Sequence, residues 1–217
     1  FDDGPYDWHA EIAQMFHDNQ MKTTYFVNGN NWRCIYDEPQ VTAMQTALAT
    51  GSVMYASHSW SHPNFTQLTM DEIDTQVSLL EDALFATIGR VPRLIRPPFG
   101  ETNLKINQHL KDRWGLEVVQ WKQDAGDGLG ATVAQEKAQY KSFKKGDDIL
   151  ILQHETHETS IHQVIPYALK QFKKKGIKSV TAAKCLTKQP SPYKVTAKPG
   201  TRNDNWTCVG KPQPGSN

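Results

Sequence analysis

Two adjacent carboxylates, Asp2 and Asp3, stand in FDDGP, just before a glycine and a proline. Two histidines, His58 and His62, lie four residues apart in HSWSH, a spacing that points both imidazoles the same way on a helical turn. Arg96 opens RPPFG, Asp124 and Asp127 follow Trp121 in W-x-x-D-x-x-D, and His154 closes LQH. Two neutral imidazoles and one carboxylate make a three-ligand Zn²⁺ site with a fourth position open to water. Water in such a site falls in pKa toward ~7, which makes it a nucleophile near neutral pH. Asp3 can supply the carboxylate, and Asp2 is then free to handle a proton. A lone H-x-x-x-H is ordinarily a solvated or core-satisfied pair. The Asp-Asp turn is what gives it weight.

Such groups must be brought together by the elements around them. Ile12, Met15 and Phe16, with Trp8, fall on one face of a helix over 8–21. Thr23 to Val27 reads as a buried strand, stopped by Asn28-Gly29. Val41, Met44 and Leu48 line a short helix ended by Gly51, and 52–56 is the next strand. The clearest helix is 70–88, with a Thr69/Glu72 capping box, the stripe Ile73, Val77, Leu80, Leu84 and Ile88, and Gly89 at the stop. Strands are expected at 93–96, 116–121, 148–153 and 177–182, and helices at 102–113, 131–143 and 161–175. Strand and helix alternating on short links argue a parallel sheet wrapped by helices, and a doubly wound sheet or a (β/α) barrel satisfies that pattern equally. In such folds polar residues just after strands carry function. His58, Arg96, Asp124, Asp127 and His154 occupy such places, and FDDGP has the same form, so its strand is expected upstream of residue 1.

The chain has 217 residues, with 24 Lys plus Arg against 23 Asp plus Glu. One domain with a substantial core fits that length, and the charge balance argues against a nucleic-acid or membrane-surface protein. No apolar run approaches the ~20 residues needed to cross a bilayer. From residue 187 onward Pro, Lys, Thr and Gly dominate, so 187–217 reads as an irregular tail on a domain over 1–186. Three cysteines fit one disulfide plus a thiol with an upstream partner. Cys34 with Cys208, leaving Cys185, is one option, and three free thiols is the plain alternative. Sequons at Asn64 and Asn205 point to a secreted eukaryotic glycoprotein, in which disulfides would persist.

FDDGP, HSWSH, RPPFG, the Trp121–Asp127 segment and LQH, in that order, resemble the five motifs of the NodB-homology polysaccharide deacetylases, carbohydrate esterase family 4. FVNGNNW at 26–32 is similar to the fungal chitin deacetylase branch. The resemblance implies a distorted (β/α) barrel and metal-dependent removal of N-acetyl groups from chitin or chito-oligosaccharides, releasing acetate. It implies that Asp2 is the catalytic base, with Asp3, His58 and His62 holding Zn²⁺, or Co²⁺ or another divalent ion. Arg96 would orient the base, His154 would be the general acid, and Asp127 would tune it. Phe99 stands where the family usually has tyrosine, and its backbone N–H would complete the oxyanion hole. Trp60 and Leu152 are the remaining candidates for lining the cleft. A secreted monomer acting extracellularly or in the cell wall is expected, with no nucleic acid and no membrane span.

One departure bears on the acid. The family usually has Trp after the motif-four aspartate, whereas Gly128 follows Asp127 here, which leaves Asp124 as an alternative to Asp127. His157 and His162, after His154, read as a polar loop rather than a second metal site, and Trp8, Trp32 and Trp114 read as packing residues. Acetylxylan esterase and peptidoglycan deacetylase are alternatives with the same machinery. A non-catalytic carbohydrate-binding protein on this fold is the alternative of a different class.

Overall fold

The computed structural model describes residues 1–186 and 191–215. Its strands are β1 (Asp2–Gly4), β2 (Thr23–Val27), β3 (Val53–Ser57), β4 (Arg90–Pro92), β5 (Leu94–Ile95), β6 (Glu117–Val118), β7 (Gln123–Asp124), β8 (Ile151–Leu152) and β9 (Tyr193–Thr196). Its helices are α1 (His9–Asp18), α2 (Glu38–Ala49), α3 (Met70–Ile88), α4 (Leu104–Trp114), α5 (Val133–Ser142), α6 (Ile165–Lys175) and α7 (Ala182–Leu186). Strands β1-β2-β3-β5-β6 form one sheet in that order, with every pairing parallel. Strands β7 and β8 pair in parallel, and a parallel bridge from Asp2 to His154 joins that pair to β1. The fold is therefore an α/β architecture in which these strands run the same way and their carboxyl ends gather at one edge.

The helices form where the apolar stripes lie. In α3, Ile73, Val77, Leu80, Leu84 and Ile88 are all buried, Thr69 and Glu72 close a reciprocal capping box, and Gly89 stops the helix at φ +66°. Ile12 and Phe16 of α1, and Val41 and Met44 of α2, turn inward onto β2 and β3, whose ten residues include a continuous apolar run. A second cluster, built on Phe65, Ile73, Val77, Ile95, Ile106 and Leu110, packs α3 and α4 against β5.

Three segments differ from the sequence expectation. FDDGP supplies its own strand: β1 pairs with β2, and the Asp2 N–H donates to the Gln153 carbonyl (3.0 Å). Residues 177–182 do not form a strand; the Ala182 N–H goes to the Thr24 side-chain hydroxyl (2.8 Å), and α7 begins there. The tail is not wholly irregular, since β9 pairs antiparallel with β4, while residues 187–190 lie outside the described residues. The tail is also fastened by a Cys34–Cys208 disulfide that joins residues 174 apart, and Cys185 is a free, exposed thiol. No helix among the described residues is long and apolar enough to cross a membrane.

Candidate active site

The carboxyl ends of β1, β3, β5 and β8 deliver Asp2 and Asp3, His58, Arg96 and His154 to one place. Asp2 is 2% exposed and Arg96 is 1% exposed. The Arg96 guanidinium lies over the Phe26 ring (4.0 Å) and donates through Nη1 to Asp2 Oδ1 at 2.6 Å. Burial alone would push the Asp2 carboxyl up, but the Arg96 charge, helped by His58, holds it below its ordinary value. A buried carboxylate is therefore kept ionised, with Oδ2 turned toward His58 Nε2 at 3.8 Å.

Asp3 faces the two imidazoles. Its Oδ1 is 3.5 Å from His58 Nε2 and 3.3 Å from His62 Nε2, and it is buried with no hydrogen-bond partner. His58 donates Nδ1–H to the Arg96 carbonyl at 2.6 Å, which fixes the ring tautomer and leaves the Nε2 lone pair aimed at Asp3. Burial drives both rings down to about 4, so they are neutral donors at physiological pH. Burial also raises Asp3, a penalty that a cation would relieve. A tetrahedral ion with ligand bonds near 2.0–2.1 Å sets its donor atoms about 3.4 Å apart. The orphaned oxygen, the two free lone pairs and their spacing all fit a divalent metal.

The third pair is Asp127 with His154. Asp127 Oδ1 meets His154 Nδ1 at 2.8 Å, and Oδ2 accepts the His154 backbone N–H at 2.8 Å. Burial pulls the imidazole down, yet the bond to Asp127 and the charges of Asp127, Asp2 and Asp3 outweigh it and bring the ring to about 9. Asp124 is not the partner: its Oδ1 accepts the Gly126 N–H and shapes the turn. His157 stands 6.0 Å from the His154 ring, so Asp127, His154 and His157 form a second donor cluster. There both Asp127 oxygens are already occupied by hydrogen bonds, unlike Asp3 Oδ1.

Backbone strain collects here. Asp3, Ser59, His62 and Phe99 all have φ between +59° and +72°, and among the described residues only Gln20 shares this feature outside glycine. Non-glycine residues hold such angles only where the surroundings impose them. The Phe99 ring is 62% exposed and stands edge-on to His62 at 4.6 Å. Leu152 is 4% exposed, two residues before His154.

Two aromatic readings change. Trp60 does not line a cleft: it is fully buried under Gly29, where an added Cβ would fall 1.9 Å from its ring, and it donates Nε1–H to the Pro212 carbonyl. Trp32, read as a packing residue, is 52% exposed and lies close enough to Asp3 to favour its ionised form. Gly128 lies against the acid candidate. A Cβ on Gly128 would approach His154 Cε1 to 3.1 Å, so the chain passes tightly over the imidazole.

Sequence reasoning missed the supports. Glu155 is 1% exposed, contacts His9 Nδ1 at 2.9 Å and accepts the Tyr6 N–H at 2.6 Å. A Cβ on Gly4 would sit 1.9 Å from Glu155 Oε1, which is why glycine follows the two aspartates. Gln153, Glu136 and Ser160 bond around Asp127. The one available signal was that Gln153 and Glu155 flank His154 in a strand-end segment.

Known proteins resemble this chain in sequence and in fold. Residues 1–119 match the family model described as polysaccharide deacetylase. The chain belongs to the polysaccharide deacetylase family. A chitin deacetylase of Pestalotiopsis sp is 29% identical over 196 residues, covering 86% of this chain and 62% of that protein. A Bacillus cereus peptidoglycan-N-acetylglucosamine deacetylase is 29% identical over 191 residues, covering 83% and 64%. The chain thus spans less than two-thirds of these relatives' length. The chitin deacetylase structure from Colletotrichum lindemuthianum superposes with TM-score 0.81 at 22% identity, covering 89% of this chain and 88% of that one. The family 4 carbohydrate esterase from Streptomyces lividans, in complex with acetate, superposes with TM-score 0.72 at 26% identity, covering 92% and 95%.

Proposed function

We propose that this chain is a secreted, metal-dependent deacetylase that removes N-acetyl groups from the GlcNAc units of chitin or chito-oligosaccharides. The observation that carries this reading is the unpartnered Asp3 Oδ1 facing two imidazole nitrogens, set between an ionised base and a protonated imidazole. Asp3, His58 and His62 would hold the ion, with Zn²⁺ the first choice and Co²⁺ or another divalent ion an alternative. When bound, such an ion polarises the acetyl carbonyl and acidifies the attacking water.

The chain's own residues divide the remaining work. Asp2, ionised by Arg96, accepts the proton of the water that attacks the acetyl carbon. The Phe99 N–H donates to the oxyanion that develops as the carbonyl becomes tetrahedral. His154 has Nδ1 committed to Asp127, so Nε2 carries the proton that passes to the departing nitrogen. The C–N bond breaks, giving acetate and a free amine. Leu152 supplies an apolar wall for the acetyl methyl, and the exposed Trp32 and Phe99 rings offer faces for sugar. The Cys34–Cys208 disulfide and the exposed sequon at Asn205 support action outside the cell, and we read the active form as a single chain.

Acetate release measured in parallel from chitin oligomers, acetylated xylan and peptidoglycan tests this reading. Chitin oligomers are expected to give the highest kcat/KM. Release from xylan alone would make the chain an esterase, and sugar binding without release from any polymer would make it a binding protein.

A further inference from the structure

We propose that Glu136 is a positioning residue for the Asp127–His154 pair, a second buried carboxylate that fixes Asp127 through donors the two share. This rests on His154 being the proton donor of the proposed reaction. Glu136 lies in the first half of α5 and is 1% exposed. A buried carboxylate needs partners, and those of Glu136 are the partners of Asp127. Gln153 Nε2 donates to Glu136 Oε2 at 2.8 Å and to Asp127 Oδ2 at 2.7 Å. The Ser160 hydroxyl lies 3.4 Å from the first oxygen and 3.2 Å from the second. Tyr140, one turn beyond Glu136, donates its hydroxyl to Gln153 Oε1 at 2.9 Å. That bond settles which way the Gln153 amide faces and puts its N–H groups between the carboxylates.

The consequence falls on His154. Gln153, Ser160 and the His154 backbone N–H all hold Asp127 Oδ2, so Oδ1, steadied by the Gly128 N–H at 2.9 Å, is the oxygen that meets the imidazole. Ser160 reaches this cluster from a π-helical turn over Ser160–Val164, a rare conformation that concentrates at functional sites. Gln153 Nε2 can only donate, so Glu136 Oε2 is an acceptor there, and burial raises the Glu136 carboxyl against the help of Gln153 and Ser160. Satisfying its own burial would require donors, but not donors held in common with Asp127. The other titratable groups around the pair are Asp2 and Asp3 from β1, His62 after β3, and His157 after β8.

The test uses the full chain with Glu136→Gln, Glu136→Ala and Ser160→Ala. The first readout is the titration midpoint of the His154 ring, followed by NMR in metal-free protein. The second is the pH profile of kcat for acetate release. Glu136→Gln, which keeps the shape but can turn an amide donor toward Gln153 Nε2 and so disturb the hold on Asp127, is expected to lower the midpoint by about half a pH unit. Glu136→Ala is expected to lower it further and to reduce kcat about tenfold with KM little changed, the usual cost of losing an outer partner. Glutamine should recover part of that rate. An unchanged midpoint and basic limb in Glu136→Ala, with only a lower Tm, would overturn the proposal. If Glu136→Ala does not fold, an unchanged midpoint in both other variants overturns it equally. Shifted midpoints in a protein that releases no acetate would uphold the coupling and remove the function instead.

Discussion

Replacing Asp127 with Asn probes His154, the proposed acid, directly. The His154 ring is raised from 6.5 to about 9 against the opposing pull of burial. At about 1.4 kcal/mol per pH unit, that rise represents roughly 3 kcal/mol of preference for the protonated ring. Since the folded value lies above the unfolded one, this stabilisation is complete below about pH 6.5, erodes as pH rises, and is gone above about pH 9. Asparagine keeps the side-chain shape and removes the charge, while burial remains, so the ring should titrate at or below about 6.5. At pH 8 about nine-tenths of wild-type rings carry the proton, against about 3% in the variant, a difference of roughly 30-fold. At pH 6 the two differ by less than about twofold. NMR of metal-free protein should therefore show the His154 midpoint falling, and the defect in kcat for acetate release from a chitin oligomer should grow from pH 6 to pH 8. An equal defect at both pH values, or a wild-type ring titrating near 6.5 in metal-free protein, would refute the reasoning.

Other perturbations have defined outcomes. Arg96→Met leaves the buried Asp2 charge unpaired, so chemical denaturation should show a loss of about 3–5 kcal/mol along with loss of turnover. Gly128→Ala places a methyl 3.1 Å from His154 Cε1, and kcat should fall several-fold with Tm little changed. Cys34→Ser releases a link between residues 174 apart, and urea melts should show about 2–4 kcal/mol less stability with the active-site titrations unaltered.

The parts of the site legible in the sequence are those that follow strand ends. His58, Arg96 and His154 sit where a buried strand meets polar residues, and the periodicity that marks β3 and β8 marks them too. Helix α3 was legible because its cap, stripe and stop are local and agree with one another. The supports were not legible, because each depends on a distant partner. His9 meets Glu155 across 146 residues, and nothing within α1 distinguishes that histidine from a solvated one. Glu136 sits on a helix of mostly polar residues, with only the buried Tyr140 one turn away to mark an inward face. Trp60 reads as a cleft residue because its neighbours are metal-binding candidates, whereas its burial is decided by Gly29 and the tail at Pro212. Residues 177–182 have strand-like composition, but the Thr24 hydroxyl takes the N–H that a ladder would have used.

A divalent ion shared by Asp3, His58 and His62 is the centre of the proposed chemistry. Zinc titrated into chelator-stripped protein by calorimetry, with acetate release from a chitin oligomer read on the same samples, tests it most directly. One tightly bound ion per chain, turnover rising in step with occupancy, and loss of both in His58→Ala are the predicted results. Turnover that persists in stripped protein, or zinc binding that His58→Ala leaves intact, would contradict it.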